Sequence, residues 1–187
     1  MAQVQSGLTA RERLDSASGE CLAIQMADIA GDRSLDLSRL AKISGAHPRY
    51  EVVQGDVLFR SRGFGTTAWA VPNGLPGPAI AVLPLFIIRP ITDKYESEFL
   101  AWWLNQPEAQ RHMRRAAQGQ TIQMVSKPAL ESTPVYLPPI SVQRRIVSSA
   151  GLATREAQLM HRLADCQLAL HEARLTNAAI SQEESTR

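Results

Sequence analysis

At 187 residues, with 44% hydrophobic residues and a formal net charge of +2, the chain is long enough to bury an ordinary core without disulfide or metal staples. No stretch approaches the roughly 18 uninterrupted apolar residues of a membrane span, and Met1 to Ala10 lacks a basic region followed by an apolar run. A cytoplasmic chain is expected, one whose charge is modest for a protein that would hold duplex DNA by itself, since phosphate neutralisation supplies most non-specific affinity.

In chain order, Glu20 to Met26 and Tyr50 to Val53 have the β-branched and apolar content of short strands, separated by turn-forming residues around Gly31-Asp32 and Ser44-Gly45. Gly55-Asp56 marks a turn into a buried strand beginning Val57-Leu58-Phe59. Thr66 to Val71 and Ala79 to Ile88 continue the strand pattern on either side of a loop rich in proline and glycine, Pro72 to Pro78. The second of these is the longest apolar run. Pro84 interrupts it, and it reads as a buried strand.

After Pro90 the period changes. Phe99, Leu100, Trp103 and Leu104 share one face of a helix beginning near Tyr95, and Pro107 suits the first turn of another that Gly119 closes. At least one of Trp102 and Trp103 is expected in the core. Thr121 to Val125 reads as a strand, Ser126 as the cap of a short helical turn, and Val135 to Leu137 as a last short strand. These elements predict an α+β fold, a domain with a twisted mixed sheet and short helices.

From about Ser141 to Ser181 no proline intervenes, and forty helical residues span roughly 60 Å. Leu159, Leu163, Cys166, Leu170, Ala173, Asn177 and Ile180 follow the alternating spacings of a coiled-coil seam. A second stripe, mostly alanine, lies beside it, so the apolar face has to be covered by another helix. Gly151 is a candidate bend. The division expected is 1–139 for the domain and 140–187 for a long helix whose apolar stripe needs a partner. Cys21 and Cys166 have no paired spacing and read as buried free thiols, and the four histidines lack metal-ligand spacing.

The order of short motifs resembles the specificity subunit of type I restriction-modification systems. Gly7 and Thr9 resemble the opening Gly-x-Thr of its recognition domain, and Ile24 to Ile29 its first strand with the following Asp-Ile. Gly55-Asp56-Val57-Leu58 resembles its signature turn, Tyr95 to Leu104 its aromatic and leucine helix, and Gly119-x-Thr121 a further loop. Pro138-Pro139 with Gln143-x-x-Ile146 resembles the entry to its long helix. Val142 stands where the family usually has an acidic residue. The family repeats domain and helix twice, and this sequence shows one copy, a half-length form that would restore the pair as a homodimer with antiparallel helices.

The resemblance implies that double-stranded DNA meets Arg60, Ser61 and Arg62 on one loop, and Gln118, Gln120, Thr121, Gln123 and Lys127 on another. Arginine and amide side chains there suit base edges and phosphates. Leu159, Leu163, Cys166, Leu170, Ala173 and Ile180 would carry the dimer or partner contact. Arg111, His112, Arg114 and Arg115 form a basic cluster that suits either phosphates or solvent.

The chain lacks the (Asp/Asn)-Pro-Pro-(Tyr/Phe) loop of an adenine methyltransferase and a phosphate-binding Gly-x-x-x-x-Gly-Lys-(Ser/Thr). No catalytic residue and no metal site is expected. S-adenosylmethionine and ATP would belong to methyltransferase and restriction or motor subunits. Two alternatives stay open: a helical adaptor that has lost DNA reading, and a recognition domain detached from a single-chain restriction-methylation enzyme.

Overall fold

The computed structural model describes residues 2–9, 19–29, 40–44, 47–62, 67–91, 94–116 and 124–184, with side chains to 181. Among the described residues the strands are β1 (Ala2–Ser6), β2 (Cys21–Ile24), β3 (Ala41–Ile43), β4 (Glu51–Val52), β5 (Val57–Arg60), β6 (Thr67–Ala70), β7 (Ala79–Ala81) and β8 (Leu85–Pro90). The helices are α1 (Ser97–Leu104), α2 (Pro107–Ala116), α3 (Lys127–Glu131) and α4 (Ile140–Glu184). Contacts divide the chain into two units, Met1–Arg144 and Arg145–Arg187.

The α+β class holds, but the strands form two four-stranded sheets rather than one. The first has the order β1-β8-β5-β6 and the second β3-β2-β7-β4. All pairs of the first are antiparallel, while the second has one parallel pair, β2 with β7. The apolar run from Ala79 to Ile88 is therefore not one strand. It is split by the turn at Val82 to Pro84, and its halves, β7 and β8, enter different sheets. Beyond this, β1 and β3 had no counterpart in the sequence pattern, which is too short and too polar in both to show a period.

Period-two alternation places the core. In β5 and β8, Val57, Phe59, Phe86 and Ile88 face Leu100, Leu104, Met113 and Leu130 of the helices. Their neighbours Leu58, Leu85 and Ile87 face the second sheet, meeting Ile24, Val52, Ala79 and Ala81. The first sheet is thus buried on both faces, and each such side chain contributes about 1.5–3 kcal/mol by leaving water. Trp102 and Trp103 are each half-buried; Trp103 packs against the cluster that holds Leu100 and Leu104, so one of the pair reaches the core as expected.

Several motif residues prove to be structural. A Cβ on Gly7 would sit 2.7 Å from the Ala81 carbonyl oxygen and 3.0 Å from that of Leu85, so only glycine lets β1 pass over the turn between β7 and β8. Gly55 adopts φ +87°, the left-handed conformation that starts the turn into β5. Asp56, 1% exposed, accepts two hydrogen bonds of 2.7 Å from the Arg89 guanidinium and one of 2.9 Å from the Val53 N–H. Donating these hydrogen bonds to Asp56 raises the Arg89 pKa above its ordinary value, against the opposing effect of burial.

Asn105, just past α1, joins helix to sheet. Its Oδ1 accepts from the Ala68 N–H at 3.0 Å and its Nδ2 donates to the Ala68 carbonyl at 2.8 Å, along the outer side of β6. Ser126 caps α3 as read from sequence, its hydroxyl accepting from the Ala129 N–H at 3.3 Å. Val135 to Leu137 does not form the strand expected of it.

In the second unit α4 continues to Glu184. The whole helix has 45 residues and is about 68 Å long at 1.5 Å per residue. It runs through Gly151 without interruption. Cys166 is exposed rather than buried, and Cys21 is half-buried, because an isolated helix offers a thiol no cover and β2 offers only part.

Candidate nucleic-acid interface

The loop after β5 and the segment before α3 meet. Arg62 and Met124 form an antiparallel backbone bridge, and the Val125 N–H donates to the Ser61 carbonyl at 2.9 Å. Of the predicted DNA-facing residues, Gln118, Gln120, Thr121 and Gln123 lie outside the described residues. Their segment ends at Met124, so the bridge places the end of one predicted loop beside Arg62 on the other.

Arg62 is exposed and Arg60 is half-buried at the end of β5. Lys127 is exposed on the first turn of α3 and lies 3.7 Å from Glu131, an i,i+4 pair whose worth in solvent is small. Ser61 is a correction. Its side chain is 1% exposed, and its hydroxyl donates to the Pro84 carbonyl at 2.6 Å, so it fastens the loop to the turn between β7 and β8 and has no route to a DNA contact.

The basic cluster of α2 divides. Arg111 pairs with Glu108, and His112 approaches the Ser132 hydroxyl at 3.3 Å. Arg114 and Arg115, in the last turn, are exposed and make no ion pair among the described residues. They complement the partial negative charge of the helix C-terminus, and they are also available to phosphates.

One feature escaped the sequence reading. Tyr136, 70% exposed, packs edge-on to Trp103 with ring centroids 5.4 Å apart, and Trp103 Nε1 donates to the Pro134 carbonyl at 2.8 Å. With Arg111, His112 and Arg115 these rings line a cleft of about 230 Å³. Its only signal in the sequence is an aromatic residue in a proline-rich stretch, a pattern that equally suits the short strand expected at Val135 to Leu137.

At the entry to α4, Gln143 is 1% exposed. Its Oε1 accepts from the Glu96 N–H at 3.0 Å, and its Nε2 donates to the carbonyls of Lys94 and Pro138, each at 2.8 Å. Arg144 adds a 2.6 Å ion pair to Glu96. The first turn of the helix is thereby tied to the loop before α1 through an amide whose polar atoms all have partners.

A fold of two stacked sheets flanked by short helices, followed by one long helix, is shared with solved structures. No family model and no curated protein matches the chain. The HsdS subunit from Thermoanaerobacter tengcongensis superposes with a TM-score of 0.56 at 21% identity, covering 86% of this chain and 37% of that one. A chain from a study of complex assembly and conformational transition of the type I R-M system gives 0.54 at 22% identity, covering 86% and 38%. The fold is that of type I specificity subunits. The chain spans a little under two fifths of the length of each structure it matches.

Among the described residues no helix is long and apolar enough to cross a membrane.

Proposed function

We propose that this chain is a non-catalytic DNA-specificity component of a type I restriction-modification system. Its first 139 residues form a target-recognition domain that reads one half of a bipartite duplex site, and residues 140–187 pair with a second copy and dock methyltransferase subunits. Adenine methylation, with S-adenosylmethionine, and ATP-dependent cleavage belong to those partner chains. The observation that carries this reading is the fold shared with type I specificity subunits over 86% of the chain.

Two features of the chain support it. Arg62 and Met124 are bridged, and guanidinium groups such as that of Arg62 suit base edges. The large apolar side chains of α4 are open along its length, Leu152 70%, Leu163 59% and Ile180 52% exposed, and such a surface calls for a protein partner.

The test is reconstitution with methyltransferase subunits followed by mapping of the methylated sequence. Exchanging the loops around Arg62 and Gln120 for those of another specificity subunit changes one half of that sequence. An unchanged methylated sequence refutes the reading. The modest net charge favours the alternative of an adaptor without DNA reading. In that case the complex shows no mobility shift on duplex DNA even at low salt.

A further inference from the structure

We infer that α4 pairs with α4 of a second copy in one antiparallel register, selected by Glu156 and Arg174. The inference rests on the self-pairing proposed above and adds to it the residues that fix the alignment.

The seam that contains Leu159, Leu163, Cys166 and Leu170 extends toward the N-terminus through Glu156 and Leu152, with the same alternation of three and four residues. Glu156 is therefore a carboxylate on the apolar face, between Leu152 and Leu159, which are 70% and 48% exposed. Covering these leucines covers Glu156 as well. A buried carboxylate is tolerated only beside a cation or good hydrogen-bond donors.

The alternatives can be enumerated, because each seam residue inserts among four residues of the facing helix. A parallel, in-register pair sets Glu156 against Glu156 of the second copy, like charge on like charge. Among antiparallel alignments, successive registers differ by one heptad. With Leu159 opposite Leu163, Glu156 enters a hole made by Leu163, Cys166, Gln167 and Leu170, which contains no cation. With Cys166 opposite Leu170, it faces Asn177, Ile180 and Ser181, again without a cation. With Leu163 opposite Cys166, the hole is Leu170, Ala173, Arg174 and Asn177.

That third alignment gives the carboxylate a guanidinium, an amide donor and, at Ala173, room to reach them. It also sets Leu159 against Leu170, next to the central Leu163–Cys166 pairs. Acid and base lie on the same helix at positions that a two-fold axis exchanges, so the contact is made twice per dimer. This complementarity is with a second copy of this same helix.

Light scattering on the full-length chain gives the oligomeric state, and cross-linking gives the register. In a Cys21→Ser background, Leu163→Cys forms a covalent dimer with the native Cys166 of the second copy under mild oxidation. The background protein forms none by Cys166 alone, and Glu156→Cys forms none with Cys166. Glu156→Arg and Arg174→Glu each weaken the dimer roughly tenfold or more, and the two together restore it. All these positions are exposed on the helix of the single chain, so far-UV circular dichroism should show helix content preserved.

A chain that stays monomeric at high micromolar concentration, alone and with its methyltransferase partners, overturns both the pairing and the register. A dimer that cross-links through Cys166 to Cys166 is parallel, and one that cross-links through Glu156→Cys is shifted by a heptad. Either result, or failure of the double charge exchange to restore the dimer, overturns the register and leaves self-pairing intact.

Discussion

Replacing Gln143 by alanine removes three hydrogen bonds at once and leaves the Glu96 N–H and the carbonyls of Lys94 and Pro138 without their partner. An orphaned buried polar group costs about 1–3 kcal/mol, and water admitted to the vacated space recovers part of this, so the substitution is expected to cost about 3 kcal/mol. Gln143→Leu keeps the volume and excludes that water, and is expected to cost more. Gln143→Glu sets a carboxylate against two carbonyl oxygens. Burial and those oxygens raise its folded pKa above the unfolded value of about 4.3, so its stability deficit is smallest below that value and grows as the pH rises through the folded pKa. All three tryptophans, Trp69, Trp102 and Trp103, lie in the first unit. Urea unfolding followed by tryptophan fluorescence therefore reports on that unit separately from α4. An alanine variant within about 0.5 kcal/mol of the parent, or a glutamate variant with no pH dependence relative to it, would refute the clamp.

The ion pair beneath the Gly-Asp turn predicts an order of effects. Arg89→Ala strands the buried Asp56 carboxylate and is expected to cost about 3 kcal/mol, whereas Asp56→Asn keeps the Val53 bond, frees a guanidinium whose side chain is 43% exposed, and costs about 1–2 kcal/mol. Denaturation midpoints in the reverse order contradict the assignment. Gly7→Ala drives a methyl into backbone oxygens that have no room to yield, so at least about 2 kcal/mol is lost, and a neutral result by thermal melting counts against the close crossing. Neighbouring residues on one loop separate folding from DNA contact. Ser61→Ala is expected to lower stability by about 1 kcal/mol and leave the methylated sequence unchanged. Arg62→Ala is expected to leave stability within about 0.5 kcal/mol and weaken duplex binding of the reconstituted complex, and equal loss of binding from both variants would contradict the division.

The long helix was legible because forty residues without proline and with a repeated apolar spacing admit few other readings. Ser126 and Pro128 were legible for a similar reason, since capping is local chemistry. The division of β7 from β8 was not, because Ala79 to Ile88 is apolar throughout and composition does not say which sheet each half joins. Asp56 and Gln143 stood out as motif residues, yet nothing in their spacing announced Arg89 as the partner of one or the loop at Lys94 to Glu96 as the partner of the other. Both are contacts between residues more than thirty positions apart. Ser61 was misread for the opposite reason. A hydroxyl between two arginines looks solvent-facing until Pro84 is placed beside it.

Asn105 gives the first sheet a finished border. Hydrogen bonds that point outward from a terminal strand invite any passing chain to add itself, a hazard that any protein in a crowded solution meets continually. A single carboxamide answers Ala68 with a donor and an acceptor at once, as a neighbouring peptide would, but it has no second face to offer onward. Growth of the β-structure stops at that point, and whatever joins this molecule has to do so through side chains rather than by extending its backbone ladder there.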